Sequence, residues 1–190
     1  MDSERLGLRP EETKFIQDDK IGKGLFRFYN SRHKDVFFRL ALRVIKVFEL
    51  DCSRIHHDTT TVTFAGKYQG WSVQELLTHG KNKDHRPDLK QLVLGLNVTG
   101  DGAVPISHRI YDGNQTDDCL HPANHKALQK LLQRVDFIYV ADSKLATADN
   151  LRKISAWHGL FVSVMPRTWK ADEQFRKRVR RGEIQWKHIL

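Results

Sequence analysis

Two aspartates stand where a carboxylate is costly. Asp58 lies inside the β-branched run His56-His57-Asp58-Thr59-Thr60-Thr61-Val62-Thr63, and Asp142 ends the apolar run Phe137-Ile138-Tyr139-Val140-Ala141. Runs of this kind read as strands. An ionised carboxylate on a core strand needs a compensating partner, because desolvating an unpaired charge is expensive. Two such strands suggest one shared cation site. Paired aspartates at the face of a sheet suit Mg²⁺ or Mn²⁺, which take oxygen ligands, keep waters and bind substrate phosphates. The chemistry is then metal-assisted phosphoryl transfer, in which two ions about 4 Å apart activate the attacking oxygen and stabilise the leaving one. Taken singly, each aspartate reads as structural: Asp58 accepts bonds from Thr59 or Thr60 at a strand edge, and Asp142 serves a turn or helix cap. Most sites of this kind have a third carboxylate. Beyond the last strand the chain offers Asp172, Glu173 and Glu183, none in a context that marks it.

The elements decide whether the pair meets. Residues 1–31 are polar, with Gly22 and Gly24, and read as a linker or the tail of a further N-terminal region. From His33 to Leu50, Val36, Phe37, Leu40, Ala41, Val44, Ile45, Val47 and Phe48 recur at three and four, which predicts a helix with a broad buried stripe. Strand one spans about 54–64, and the polar stretch 66–88 reads as a loop or small insertion. Leu89–Val98, Thr99-Gly100-Asp101-Gly102 and the alternating Val104, Ile106, His108 and Ile110 read as a hairpin with glycine turn chemistry. Pro122 stands near the start of a helix with Ala127, Leu128, Leu131, Leu132 and Val135 on its apolar face. Strand four is Phe137–Asp142, Thr147 caps a second helix, and strand five is Leu160–Met165. The order β-β-β-α-β-α-β predicts an α/β fold, a ribonuclease H-like mixed sheet flanked by helices and preceded by an amphipathic helix. In that order the fourth strand lies beside the first. Asp58 and Asp142 become neighbours.

The chain has 32 Lys and Arg against 23 acidic residues, a formal charge of +9, spread along its 190 residues. Such a balance favours a polyanionic partner, nucleic acid first. The basic groups that suggest phosphate contacts are Lys81, Lys83, His85 and Arg86, and the C-terminal run Arg176, Lys177, Arg178, Arg180 and Arg181, which reads equally as a solvated helix face. Cys52 and Cys119 are isolated, so neither a disulfide framework nor a zinc ribbon is indicated and a reducing compartment fits. No apolar run is long enough to span a bilayer and no signal peptide opens the chain. A cytoplasmic protein is expected. His121-x-x-x-His125 shares a helix face, but no third ligand is placed by spacing, so solvated histidines are favoured over a zinc site. His56 and His57 read as packing or as support for the site. Trp71, Trp157, Trp169 and Trp186 read as packing residues more than base-stacking platforms.

Four segments in order, His57-Asp58-Thr59-Thr60-Thr61, Gly80-Lys81-Asn82-Lys83-Asp84-His85-Arg86-Pro87-Asp88-Leu89-Lys90-Gln91, Gly113-Asn114-Gln115-Thr116-Asp117 and Ala141-Asp142-Ser143-Lys144-Leu145-Ala146-Thr147, resemble bacterial insertion-sequence transposases of the DDE class, in the group whose last motif is Tyr-x2-Arg-x3-Glu-x6-Lys. The resemblance runs from about residue 18 to 175. It implies a catalytic core that cuts the ends of its element and joins the 3′-hydroxyls to target DNA with Mg²⁺ or Mn²⁺, and it makes Asp58 and Asp142 two of three metal ligands. The implied partners are element-end and target DNA, and further copies of the chain or full-length transposase subunits. The segment Lys83–Asp88 either contacts DNA or orders a loop. No Tyr-x2-Arg-x3-Glu-x6-Lys motif follows Asp142. The expectation is therefore a fragment, with residues 32–190 forming a partial catalytic domain, inactive alone and poorly soluble or oligomeric. The alternatives are a non-catalytic DNA-binding remnant that regulates transposition and a ribonuclease H-like nuclease with another substrate.

Overall fold

The computed structural model describes residues 7–31, 33–66, 76–81 and 86–187. Trp71, Lys83 and His85 lie outside these residues. Six strands form one mixed sheet: β1 (Arg54–Phe64), β2 (Thr78–His79), β3 (Lys90–Thr99), β4 (Pro105–Asp112), β5 (Ile138–Ala141) and β6 (Leu160–Ser163). Among the described residues five α-helices accompany them: α1 (Asp18–Asn30), α2 (His33–Val47), α3 (His121–Leu132), α4 (Ala148–Ala156) and α5 (Lys170–Arg180). β1 pairs antiparallel with β3 and β3 with β4, while β5 pairs parallel with β1 and β6 parallel with β5. The crossovers through α3 and α4 are those that parallel strands require. This is the ribonuclease H-like order the sequence predicts. The short β2 is additional: it sits in the stretch read as a loop and lies end to end with β4 along β3.

Alternation sets the two faces of the sheet. Along β1, Ile55, His57 and Thr59 are buried and Arg54, His56, Asp58 and Thr60 exposed; along β3 the odd positions 91–99 are buried. α3 closes the buried face. Leu128 and Leu131 pack there with Ile55, Ile106, Phe137, Tyr139, Leu145 and Ile154. Thr147 caps α4 as expected, its hydroxyl accepting the Asn150 N–H at 3.2 Å.

Several sequence expectations shift in the details. The stripe of α2 is real as a pattern, but Ala41 alone is buried, while Val36, Leu40, Val47 and Phe48 are more than half exposed. Periodicity marks an apolar side without showing that anything covers it. Its Phe37 meets the His108 ring of β4 edge-on at 4.6 Å. Within the segment read as a linker, Asp18–Asn30 is helical, yet α1 buries no residue. Val135 falls past the end of α3 and is exposed. In the β3–β4 turn the left-handed residue is Ala103, φ +53°, and neither Gly100 nor Gly102 has a positive φ. Among the described residues no helix is long and apolar enough to cross a membrane.

Candidate functional site

The carboxylates sit on the open face. Asp58 is exposed on β1, and its Oδ1 accepts the Thr59 N–H at 2.8 Å. Asp142, the residue after β5, is also exposed; its Oδ1 accepts the Lys144 N–H at 2.9 Å and its carbonyl accepts the Ser163 hydroxyl at 2.6 Å. Both local bonds are the structural ones that aspartates at such places make. β1 and β5 pair through Arg54/Ile138, Ile55/Tyr139 and His56/Val140. The pairing ends there; continued two residues further, the same register would bring Asp58 and Asp142 level on one face. The hard oxygens of two such carboxylates suit a divalent cation that keeps most of its waters.

Among the described residues no third histidine, cysteine or carboxylate joins them. The acids considered from sequence are engaged on and after α5: Asp172 with Arg176 at 2.7 Å, Glu173 with Lys177 at 2.6 Å and Glu183 with Arg181 at 3.7 Å. The first two, both i,i+4 pairs, make the basic run a helix surface with its own counter-charges, and Arg178 and Arg180 share it. α5 has no buried residue. Arg86 forms a two-pronged pair with Asp88, at 2.8 and 2.6 Å, that raises the arginine and lowers the acid from their ordinary pKa ranges. Of the predicted DNA contacts among the described residues, Lys81 alone lines the cavity at the carboxyl end of β5, a cavity that neither Asp58 nor Asp142 lines.

That cavity arises because β1 outruns β5. Their pairing stops at His56/Val140, while β1 continues to Phe64 beside β3. The step is a groove of about 1040 Å³ floored by Thr59, Thr60, Thr61 and Val93. One wall is Lys81 with Asn114 and Gln115; the other runs from Ser143 and Lys144 to the start of α4, with Trp169 at its end. Residues of all four motif segments meet here, starting one residue past each aspartate. Open α/β sheets bind ligands in such a crevice outside the carboxyl ends of their strands.

Two motif glycines build the first wall. The Gln91 side-chain amide donates to the Gly113 carbonyl at 2.6 Å, and the Gly113 N–H donates to the Leu76 carbonyl at 3.0 Å. A methyl at Gly80 would overlap the Gly113 carbonyl oxygen and the Gln91 amide, and one at Gly113 would overlap the Gln91 backbone. Neither glycine has a positive φ. They are needed for room, because two loops cross β3 in backbone contact.

On the same face as Thr59 and Val93, under α3, lies a polar layer that sequence reasoning missed. Asn97 and Asn124 exchange amide hydrogen bonds at 3.0 and 2.8 Å, and Asn97 also donates to Ser107 Oγ at 2.8 Å. Asn124 donates to Tyr139 Oη at 3.0 Å; His57 Nδ1 lies 3.0 Å from Asn97 Oδ1, and His121 Nδ1 3.1 Å from Tyr139 Oη. Counting hydrogens, the chain closes when His57 carries its proton on Nδ1 and donates to Asn97, and Tyr139 donates to an unprotonated His121 Nδ1. Burial pushes the Tyr139 hydroxyl above its ordinary pKa. His125 stacks on Phe137 at 5.2 Å, and burial lowers its pKa to about 4. His121 and His125 are thus core residues, correcting the expectation of solvated ones. The signal available in sequence was the position of His57 on the same strand parity as Ile55 and Thr59.

No protein-family model matches the chain, and no curated protein does. Among solved structures, the piggyBac transposase synaptic complex with hairpin DNA is similar at 14% identity over 66% of this chain and 25% of that one, with a TM-score of 0.46. The catalytic domain of Mos1 mariner transposase gives 12% identity over 83% and 73%, TM-score 0.38, and the catalytic core of BIV integrase 7% over 72% and 76%, TM-score 0.31. In two complexes of Mos1 transposase the chain spans 42% and 55% of the matched length.

Proposed function

We propose that this chain carries the catalytic core of a DDE transposase of the bacterial insertion-sequence kind, with Asp58 and Asp142 as two of its metal ligands and DNA as its substrate. The observation that carries the reading is the β1–β5 pairing, which sets the two motif strands side by side up to two residues before Asp58 and Asp142. The convergence of residues from the four motif segments at the carboxyl end of β5, starting one residue past each aspartate, supports it. Thr59 and Lys144 orient the carboxylates through their backbone N–H groups. A bound divalent cation would lower the pKa of the attacking oxygen and offset charge on the leaving one. With two carboxylates and no third among the described residues, the chain alone should hold the ion loosely and transfer strands slowly, since the reacting phosphate is poorly fixed.

Mn²⁺ titration followed by the spectrum of the free ion tests this on wild type, Asp58→Asn and Asp142→Asn. Each substitution should weaken binding about tenfold or more, and Mn²⁺-dependent nicking of supercoiled plasmid should vanish with it. Equal Mn²⁺ affinity in all three proteins would sink the assignment. A non-catalytic DNA-binding role is the second reading, favoured by the absence of a third carboxylate beside the pair among the described residues. It is supported if salt-dependent DNA binding survives both substitutions and no nicking occurs in wild type.

A further inference from the structure

The two aspartates are not held alike. Asp58 lies within β1, and the antiparallel ladder with β3 continues on both sides of it, from Ile55/Thr99 to Phe64/Lys90. Asp142 lies one residue past β5. The pairing of β5 with β1 ends at His56/Val140 and its pairing with β6 at Ala141/Ser163. Both ladders stop short of Asp142, so its place depends on bonds of another kind.

One of these bonds comes from β6. The Ser163 hydroxyl donates to the Asp142 carbonyl at 2.6 Å, diagonally across the parallel pair from its register partner Ala141. A hydroxyl on a single carbon thus carries the β5–β6 pairing on by one residue. The same carbonyl accepts the Leu145 N–H at 3.1 Å, which closes the turn, and Asp142 Oδ1 accepts the Lys144 N–H at 2.9 Å. A carbonyl oxygen has two lone pairs, so one serves the strand and one the turn. Lys144 and Leu145 belong to the turn and move with it, whereas Ser163 ties the turn to the sheet. Along β6 Ser163 shares the parity of Phe161, which packs against the core. Its hydroxyl therefore works from the helix side of the sheet, away from the open side that carries Asp58. It is placed to hold a ligand and not to be one.

We infer that Ser163 is a positioning residue, whose hydroxyl fixes the Asp142 backbone where the strand ladders end and so sets where the Asp142 carboxylate stands relative to Asp58. The inference rests on the reading of the two aspartates as metal ligands. Groups that orient a metal ligand from behind act on affinity without touching the ion. Threonine carries the same hydroxyl and suits a strand, so it should replace serine where alanine does not.

The test is Mn²⁺ titration of the full chain, read from the spectrum of the free ion, for wild type, Ser163→Ala, Ser163→Thr, Asp142→Asn and the double variant of Ser163→Ala with Asp142→Asn. Ser163→Ala should weaken binding about three- to tenfold and Ser163→Thr should bind within about twofold of wild type. In the Asp142→Asn background Ser163→Ala should change nothing further, because the ligand it positions is gone. An equal loss in both backgrounds would mean that Ser163 acts on the fold at large, and that result overturns the assignment. Amide hydrogen exchange in EDTA reads the same contact without metal. The Lys144 and Leu145 N–H groups should exchange about two- to tenfold faster in Ser163→Ala and at the wild-type rate in Ser163→Thr. The two measurements separate the two assignments. If Asp142→Asn loses Mn²⁺ while Ser163→Ala keeps wild-type affinity and exchange, the role of Ser163 falls and the metal reading stands. If Asp142→Asn keeps Mn²⁺ while Ser163→Ala exchanges faster, the metal reading falls and Ser163 remains a brace of the turn alone.

Discussion

On one face of β1, Ile55, His57 and Thr59 are buried; on the other, Arg54, His56, Asp58 and Thr60 are exposed. The closed face holds its polar atoms in a hydrogen-bonded layer reaching from Asn97 to His121, whereas Asp58 on the open face makes one bond to its neighbour's N–H. The closed face is therefore where substitution should cost stability. The open face is where it should cost binding and leave the fold intact. Because strand side chains alternate strictly, a slip of one residue would exchange His57 and Asp58, putting a carboxylate in the core. The buried layer thus fixes the register that the exposed pair requires.

The largest effect should come from acid. Burial keeps His125 neutral in the folded state down to about pH 4, whereas in the unfolded chain it takes up a proton below its ordinary 6.5. Stability is therefore full above about pH 6.5 and falls as the pH drops toward 4, by roughly 3 kcal/mol for this group. Urea denaturation across that range should show the loss in wild type and a flatter profile in His125→Leu. An equally steep profile in the variant would place the acid sensitivity elsewhere.

A smaller effect is expected from the amide pair. Asn124→Ala strands the Asn97 amide and the Tyr139 hydroxyl, and should cost about 1–3 kcal/mol. In a double-mutant cycle with Asn97→Ala the two changes should couple by at least about 0.5 kcal/mol. Additive losses would mean that the amides act separately. The smallest change belongs to the open face: Asp58→Asn should leave the denaturation midpoint within about 0.5 kcal/mol of wild type. A loss on the scale of Asn124→Ala would erase the contrast between the faces.

Much of this was legible in the sequence. The β-branched run around Asp58, the apolar run before Asp142 and the Thr147 cap are local signals, and element order alone brought the two aspartates to adjacent strands. What stayed hidden depends on partners far along the chain. His121 and His125 look like solvated helix residues until Tyr139 and Phe137 arrive beneath them. The apolar side of α2 is a pattern that no neighbouring element fully covers. Gly80 and Gly113 look like turn residues, and their reason is a crossing of backbones at Gln91 that no spacing rule anticipates.

That crossing has a consequence for recognition. Loops this close cannot shift independently, so Lys81, Asn114 and Gln115 are presented as one preorganised surface. The entropy of fixing them is met when the chain folds, and a ligand reaching any one of them finds the others already in place.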